Sequence, residues 1–131
     1  MVPFAVDAAR FPLVILRIAG DYDDREQEAF LTEVSSLLDR KKRFAVVLDL
    51  SEGGTATPTQ RKRFASWIGS SDAAVKQYAV VMSLVIASTL VRGMVTAVFW
   101  VRPMPIPTET FDRLAPAEAW AREKLKSAAV R

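Results

Sequence analysis

The sequence predicts an α/β fold in which buried parallel strands alternate with amphipathic helices. Three observations lead there. Residues 44–50 (FAVVLDL) form an apolar run with one acid near its end, the pattern of a strand buried on both faces of a parallel sheet. Segments with apolar residues at helical spacing stand on either side of it, each introduced by a capping signal. The chain has 131 residues, half of them apolar, which suffices for one substantial core and is too short for two.

Residues 4–6 read as a short edge strand before the turn-like residues 7–10, and residues 13–18 (LVILRI) as the first long strand. The following Gly20, Asp21, Tyr22 and Asp23 end that strand and open a helix, with Asp23 as N-cap and Glu26 at capping-box spacing. Phe30, Leu31, Val34, Leu37 and Leu38 share one helical face, and the basic residues 41–43 stand at the favourable end of the helix dipole. The run 44–50 is the central strand. After it, Thr57 as N-cap, Pro58 at the first helical position and Gln60 at the third give the strongest helix start in the chain.

Phe64, Trp67 and Ile68 are the apolar contacts of that second helix, which begins to end at Gly69. Residues 75–82 are rich in β-branched side chains and read as another internal strand, with 83–87 prolonging it or forming the loop beyond. Leu90, Val91, Met94, Val95 and Val98 make a third helical face, and residues 98–102 fit either its tail or a final short strand. Pro103, Pro105 and Pro107 then force an extended or turning path. Pro116 and Glu118 open a last helix with Ala117, Trp120, Ala121 and Leu125 on one side, and fraying is expected beyond Ala128. The alternation predicts a layered structure with right-handed crossovers.

The missing residue types bound the chemistry. With no cysteine there are no disulfides, thiolate nucleophiles or cysteine-ligated metals; with no histidine, Ser-His-Asp and zinc-hydrolase mechanisms cannot be assembled. Gly53 and Gly54 have neither a lysine at P-loop spacing nor a GxGxxG continuation. Asp21, Asp23, Asp24, Asp49 and Glu52 would lie at one sheet edge and resemble hard-metal ligands, but helix capping and solvation explain them first. Arg92 is a lone cation in an apolar stretch, expected on the outer face of its helix.

Net charge is +3, with basic clusters at Arg40, Lys41, Lys42, Arg43 and at Arg61, Lys62, Arg63. Neither cluster is interleaved with stacking aromatics, so no nucleic-acid partner is expected. The N-terminal residues lack the basic-then-apolar pattern of a secretory signal, and the cytoplasm is the expected location. Residues 80–101 are long and apolar enough to cross a bilayer. Arg92 at their centre would cost about 3 kcal/mol there, and a strand, turn and helix in a buried core explain the same hydropathy, so no membrane span is expected.

The strand–helix alternation, the VVLDLS string of residues 46–51 and the closing EAWAREKL of residues 118–125 resemble the STAS or anti-sigma-factor-antagonist-like proteins. Within them the chain looks most like the small bacterial SpoIIAA-like and Sec14-like group, over roughly residues 13–125. That resemblance implies a single domain with a four- or five-stranded, mostly parallel sheet and packed helices. It implies binding without catalysis, either of regulatory proteins or, in the Sec14-like branch, of lipophilic molecules. The anti-sigma antagonists carry a phosphorylatable serine after the central strand in a setting like Asp-Ser-Ser-Gly. Here residues 51–58 read SEGGTATP, without the Asp-Ser dipeptide, and the nearest hydroxyl by position is the capping Thr57, followed by Ser51 and Thr55.

The function expected first is therefore a non-catalytic, cofactor-free, cytoplasmic regulatory domain. It would dock another protein through Ser51, Glu52, Thr55, Thr57, Arg61, Lys62 and Arg63, with an apolar helix face available for a homodimer. The alternative is a binder or sensor of a lipid-like or small acidic hydrophobic ligand near Leu90, Met94, Val98 and Trp120, with Arg92 holding the acidic headgroup. Third comes metal-assisted phosphoryl transfer at the acids of the sheet edge.

Overall fold

Apolar alternation and capping chemistry resolve into five strands and five helices in a computed structural model, which describes residues 3–129. In chain order these are β1 (Phe4–Asp7), β2 (Leu13–Ile18), α1 (Asp24–Leu38), β3 (Phe44–Asp49), α2 (Pro58–Ser70), α3 (Asp72–Tyr78), β4 (Ala79–Val85), α4 (Thr89–Val101), β5 (Thr108–Phe111) and α5 (Leu114–Ala129). The fraying expected past Ala128 falls, beyond Ala129, outside the described residues. Spatial strand order follows chain order, with β1 antiparallel to β2 at one edge and every other pair parallel. Parallel strands added in sequence by right-handed crossovers put their connecting helices on one face. Hence α1 to α4 share that face, and α5 alone covers the other.

Two helix starts are made by the residues that predict them. Asp23 accepts from the Glu26 N–H at 2.8 Å while Glu26 Oε1 accepts from the Asp23 N–H at 3.0 Å. Thr57 and Gln60 repeat this reciprocal cap on α2, at 3.1 and 3.0 Å. Ser88 caps α4 by accepting from the Val91 N–H at 3.1 Å.

Three boundaries differ from the sequence reading. Residues 72–78, half of them expected in a strand, form the short helix α3, stabilised by an (i, i+4) ion pair of Lys76 with Asp72 at 3.0 Å, and only its Val75 is buried. The strand accordingly starts at Ala79 and runs to Val85. Residues 98–101 are the tail of α4, one of the two readings the sequence allowed, and the last strand lies after the prolines instead. There the Pro107 carbonyl accepts from the Met82 N–H at 3.0 Å and seats β5 beside β4. Residues 80–101 thus divide into most of β4, a turn and α4, and among the described residues no helix is long and apolar enough to cross a membrane.

Period-two alternation along each strand sorts the core into two layers. Leu13, Ala45, Val47, Val81 and Val85 meet α5 through Ala117 and Ala121, both at 0% exposure. Ser83 is buried in that layer and donates to the Ala117 carbonyl at 2.9 Å. The opposite layer joins Val14, Leu16, Val46, Met82 and Leu84 to Phe30, Leu31, Val34 and Leu37 of α1. Over this layer α4 leans on α2 rather than on any strand, and Val91 is its only buried residue.

Candidate functional site

Two loops meet at the carboxyl edge of the sheet. Gly20, at φ +66°, donates to the Glu52 carbonyl at 2.8 Å, and Gly54 donates back to the Gly20 carbonyl at 3.3 Å. The approach demands glycine at 54: a Cβ there would sit 2.7 Å from the Gly20 carbonyl carbon and overlap Asp21 Oδ1. Asp21 Oδ1 accepts from the Thr55 N–H at 2.9 Å and from its hydroxyl at 3.2 Å, joining the β2–α1 and β3–α2 loops.

Behind the loops a buried amide network locks α1 to α2. Gln27, fully buried, donates to the Gln60 carbonyl at 2.9 Å and accepts from Arg63 at 2.8 Å. Gln60 donates to the Tyr22 carbonyl at 2.9 Å, and Arg63 pairs with Asp24 at 3.2 Å. Each polar group buried here has a partner, so the network holds the two helix starts in one geometry.

This frame leaves a cavity of about 170 Å³ between the sheet and α1, α2 and α4. Leu16, Leu48 and Leu84 form its floor, Phe30, Phe64 and Trp67 its walls, and Met94, Val98 and Phe99 its roof, with Met104 also on the lining. Leu48 lies in the middle strand yet stays partly accessible, because it faces this space. At the end nearest the carboxyl edge the lining changes to Gly53, Gly54, Ala56 and Arg61. Arg61 is the one charged residue among the described residues that line the cavity; its guanidinium donates to the Ala56 carbonyl at 2.6 Å. Among the described residues the only acceptor of the Ala56 N–H is the Met94 thioether, at 3.2 Å.

Tyr22 also lines the cavity, against Phe4 at 4.6 Å between ring centroids and edge-on to Phe64 at 6.3 Å. Burial, and secondly the nearby Asp21 carboxylate, push its phenol up to about 12, so it stays protonated near neutral pH. The roof helix is tied at its middle, by Ala56 to Met94, and at its C-terminal end, by Arg102 to Asp72 of α3 at 3.5 Å. Its outer side is apolar as well, with Trp100 at 86% and Val101 at 73% exposure.

Of the residues singled out for ligand contact, Met94 and Val98 line the cavity. Leu90 and Arg92 sit on exposed parts of α4, because the helical turn that buries Val91 points its neighbours outward. Trp120 packs with Phe111 beneath the opposite face of the sheet, separated from Met94 and Val98 by the strands. Arg61, read from sequence as part of a docking surface, is the cation at the cavity.

The rest of that docking set, Lys62 aside, makes internal bonds. Ser51 donates to Asp49, Glu52 pairs with Arg17, Thr55 bonds Asp21, Thr57 caps α2 and Arg63 joins the amide network. Lys62 projects into solvent, the one side chain of the set without a hydrogen bond or ion pair among the described residues. The acids considered as metal ligands are dispersed among these partners, and among the described residues no three acids gather as a metal site would require.

Sequence reasoning missed Tyr22, Leu48, Leu84, Phe99 and Met104 as neighbours of one space. A signal was present in α4, where Leu90, Val91, Met94, Val95, Val98, Phe99, Trp100 and Val101 exceed what one buried stripe requires. Compared with known proteins, the chain matches no family model, and no curated protein is significantly similar to it.

Proposed function

We propose that this domain binds a small apolar or amphipathic molecule in the cavity beneath α4 and performs no chemistry on it. The observation that carries this reading is the unfilled volume itself. Protein interiors are close-packed, and here about 170 Å³ of apolar-lined space between α4 and the sheet is left without side chains to fill it. An apolar occupant of matching shape would take that lining out of water. The lining offers no nucleophile–base pair: its side chains are apolar apart from a protonated tyrosine and one arginine. The reading agrees with what a STAS-like or Sec14-like resemblance implies for lipophilic ligands. Docking of another protein through residues 51–63, the function expected first from the sequence, would have to compete with the internal bonds those side chains make.

Titration with 1-octanol tests it. The wild-type protein should bind one equivalent saturably by calorimetry and gain thermal stability in proportion to ligand concentration. Leu48→Trp, which places an indole in the cavity, should abolish both effects. A wild-type protein that binds none, or a folded Leu48→Trp variant that binds equally well, would overturn the reading.

A further inference from the structure

The cavity is apolar along its length with the side chain of Arg61 at one end, and that asymmetry specifies its ligand more narrowly. Arg61 is half-buried on the lining and has no carboxylate within ion-pair distance among the described residues. Its guanidinium spends one donor on the neutral Ala56 carbonyl. On the same residue the backbone N–H is met by the Met94 sulfur, among the weakest acceptors a protein has. Two donors on one end of the lining are thus matched with a neutral carbonyl and a thioether, where an anion would be a better partner for both.

We infer that the cavity takes a monocarboxylate with a short to medium hydrocarbon tail, its carboxylate held by Arg61 and the Ala56 N–H. This rests on the ligand-binding reading above and deepens it. The geometry is complementary in order as well as in kind: donors stand at the carboxyl-edge end, and Leu16, Leu48, Leu84, Val98 and Phe99 line the rest. Volume limits the tail. A cavity of about 150 Å³ holds the six carbons of benzene, so about 170 Å³ holds roughly seven, the tail length of octanoate. Carboxylate binding displaces the Met94 thioether from Ala56 and so loosens one of the two ties on the roof helix. Longer chains would run out of the space into solvent, and hydrocarbons or alcohols of equal length leave the charge of Arg61 without a counter-ion.

The experiment compares octanoate with 1-octanol by calorimetry, on the wild-type chain and on Arg61→Met and Arg61→Lys. Wild type should bind octanoate at least tenfold more tightly than 1-octanol. Arg61→Met should lose that preference, the ratio of the two affinities falling to near one, and Arg61→Lys should retain part of it. Equal affinities in the wild-type protein overturn the carboxylate assignment without needing any variant to fold, and leave the apolar-cavity reading standing. A folded Arg61→Met variant that keeps the preference removes Arg61 from the assignment. Binding of neither probe by wild type overturns this inference together with the proposed function.

Discussion

The two faces of the sheet are built from similar strands and end differently. On one, Ala117 and Ala121 place almost nothing between α5 and the strands, so the helix lies directly on β3 and β4 and both alanines are fully buried. On the other, α2 and α4 present Phe64, Trp67, Met94 and Phe99, and the helices stand off the strands around an open space. Both faces are hydrophobic. The difference teaches that side-chain size at the helix–sheet contact, rather than hydrophobicity, decides whether a layer packs shut or keeps a cavity.

Adding bulk to the closed face is the strongest way to break this comparison. Ala121→Leu should cost about 2–3 kcal/mol by overpacking, read as a lower urea midpoint with unchanged slope. Gly54→Ala acts on the edge that frames the open face. Its Cβ meets the Gly20 backbone and Asp21, and separating the two loops should cost about 2 kcal/mol, seen as a Tm drop of roughly 8 °C.

Tyr22 sharpens the contrast through pH, because it is buried on the cavity side. Its folded phenol is raised to about 12 against an ordinary value near 10, so the unfolded chain gives up that proton first. The stabilising contribution is therefore whole below pH 10 and is lost as the pH climbs toward 12. Tyr22→Phe should flatten the decline in urea stability between pH 10 and 12 while leaving the curve below pH 9 parallel to wild type.

The smallest effect belongs to bulk added on the open face. Leu48→Trp should change stability by less than about 1 kcal/mol, because the cavity accepts the indole that a packed layer would refuse. Were Leu48→Trp as damaging as Ala121→Leu in the same urea series, the two faces would be equally packed and the comparison would fail.

Much of the scaffold was legible in particular residues. Asp23 with Glu26 and Thr57 with Gln60 announce their helices because a cap is made within four residues of chain. The run 44–50 announces a central strand because burial on both faces tolerates few polar side chains. Helix α3 was hidden, since Val75, Tyr78 and Ala79 suit a strand as well as a short helix and only the position of β4 beside β3 separates them. The strand at 108–111 was hidden by its own polarity: TETF is an edge strand held by backbone bonds to β4.

The site divides the same way. Sequence by itself determined the residue types: no cysteine or histidine to do chemistry, an over-apolar fourth helix, and a cation, Arg61, three residues after the proline that starts its helix. Period and capping are local, so they could be read along the chain. Only the tertiary structure decided that Met94 and Val98 face Leu48 and Leu84 across unfilled space, that Trp120 lies on the far side of the sheet, and that Arg61 rather than Arg92 stands at the cavity. Those are questions of volume and of which layer a helix joins. They are settled by contacts between residues dozens of positions apart, for which the linear pattern carries no term.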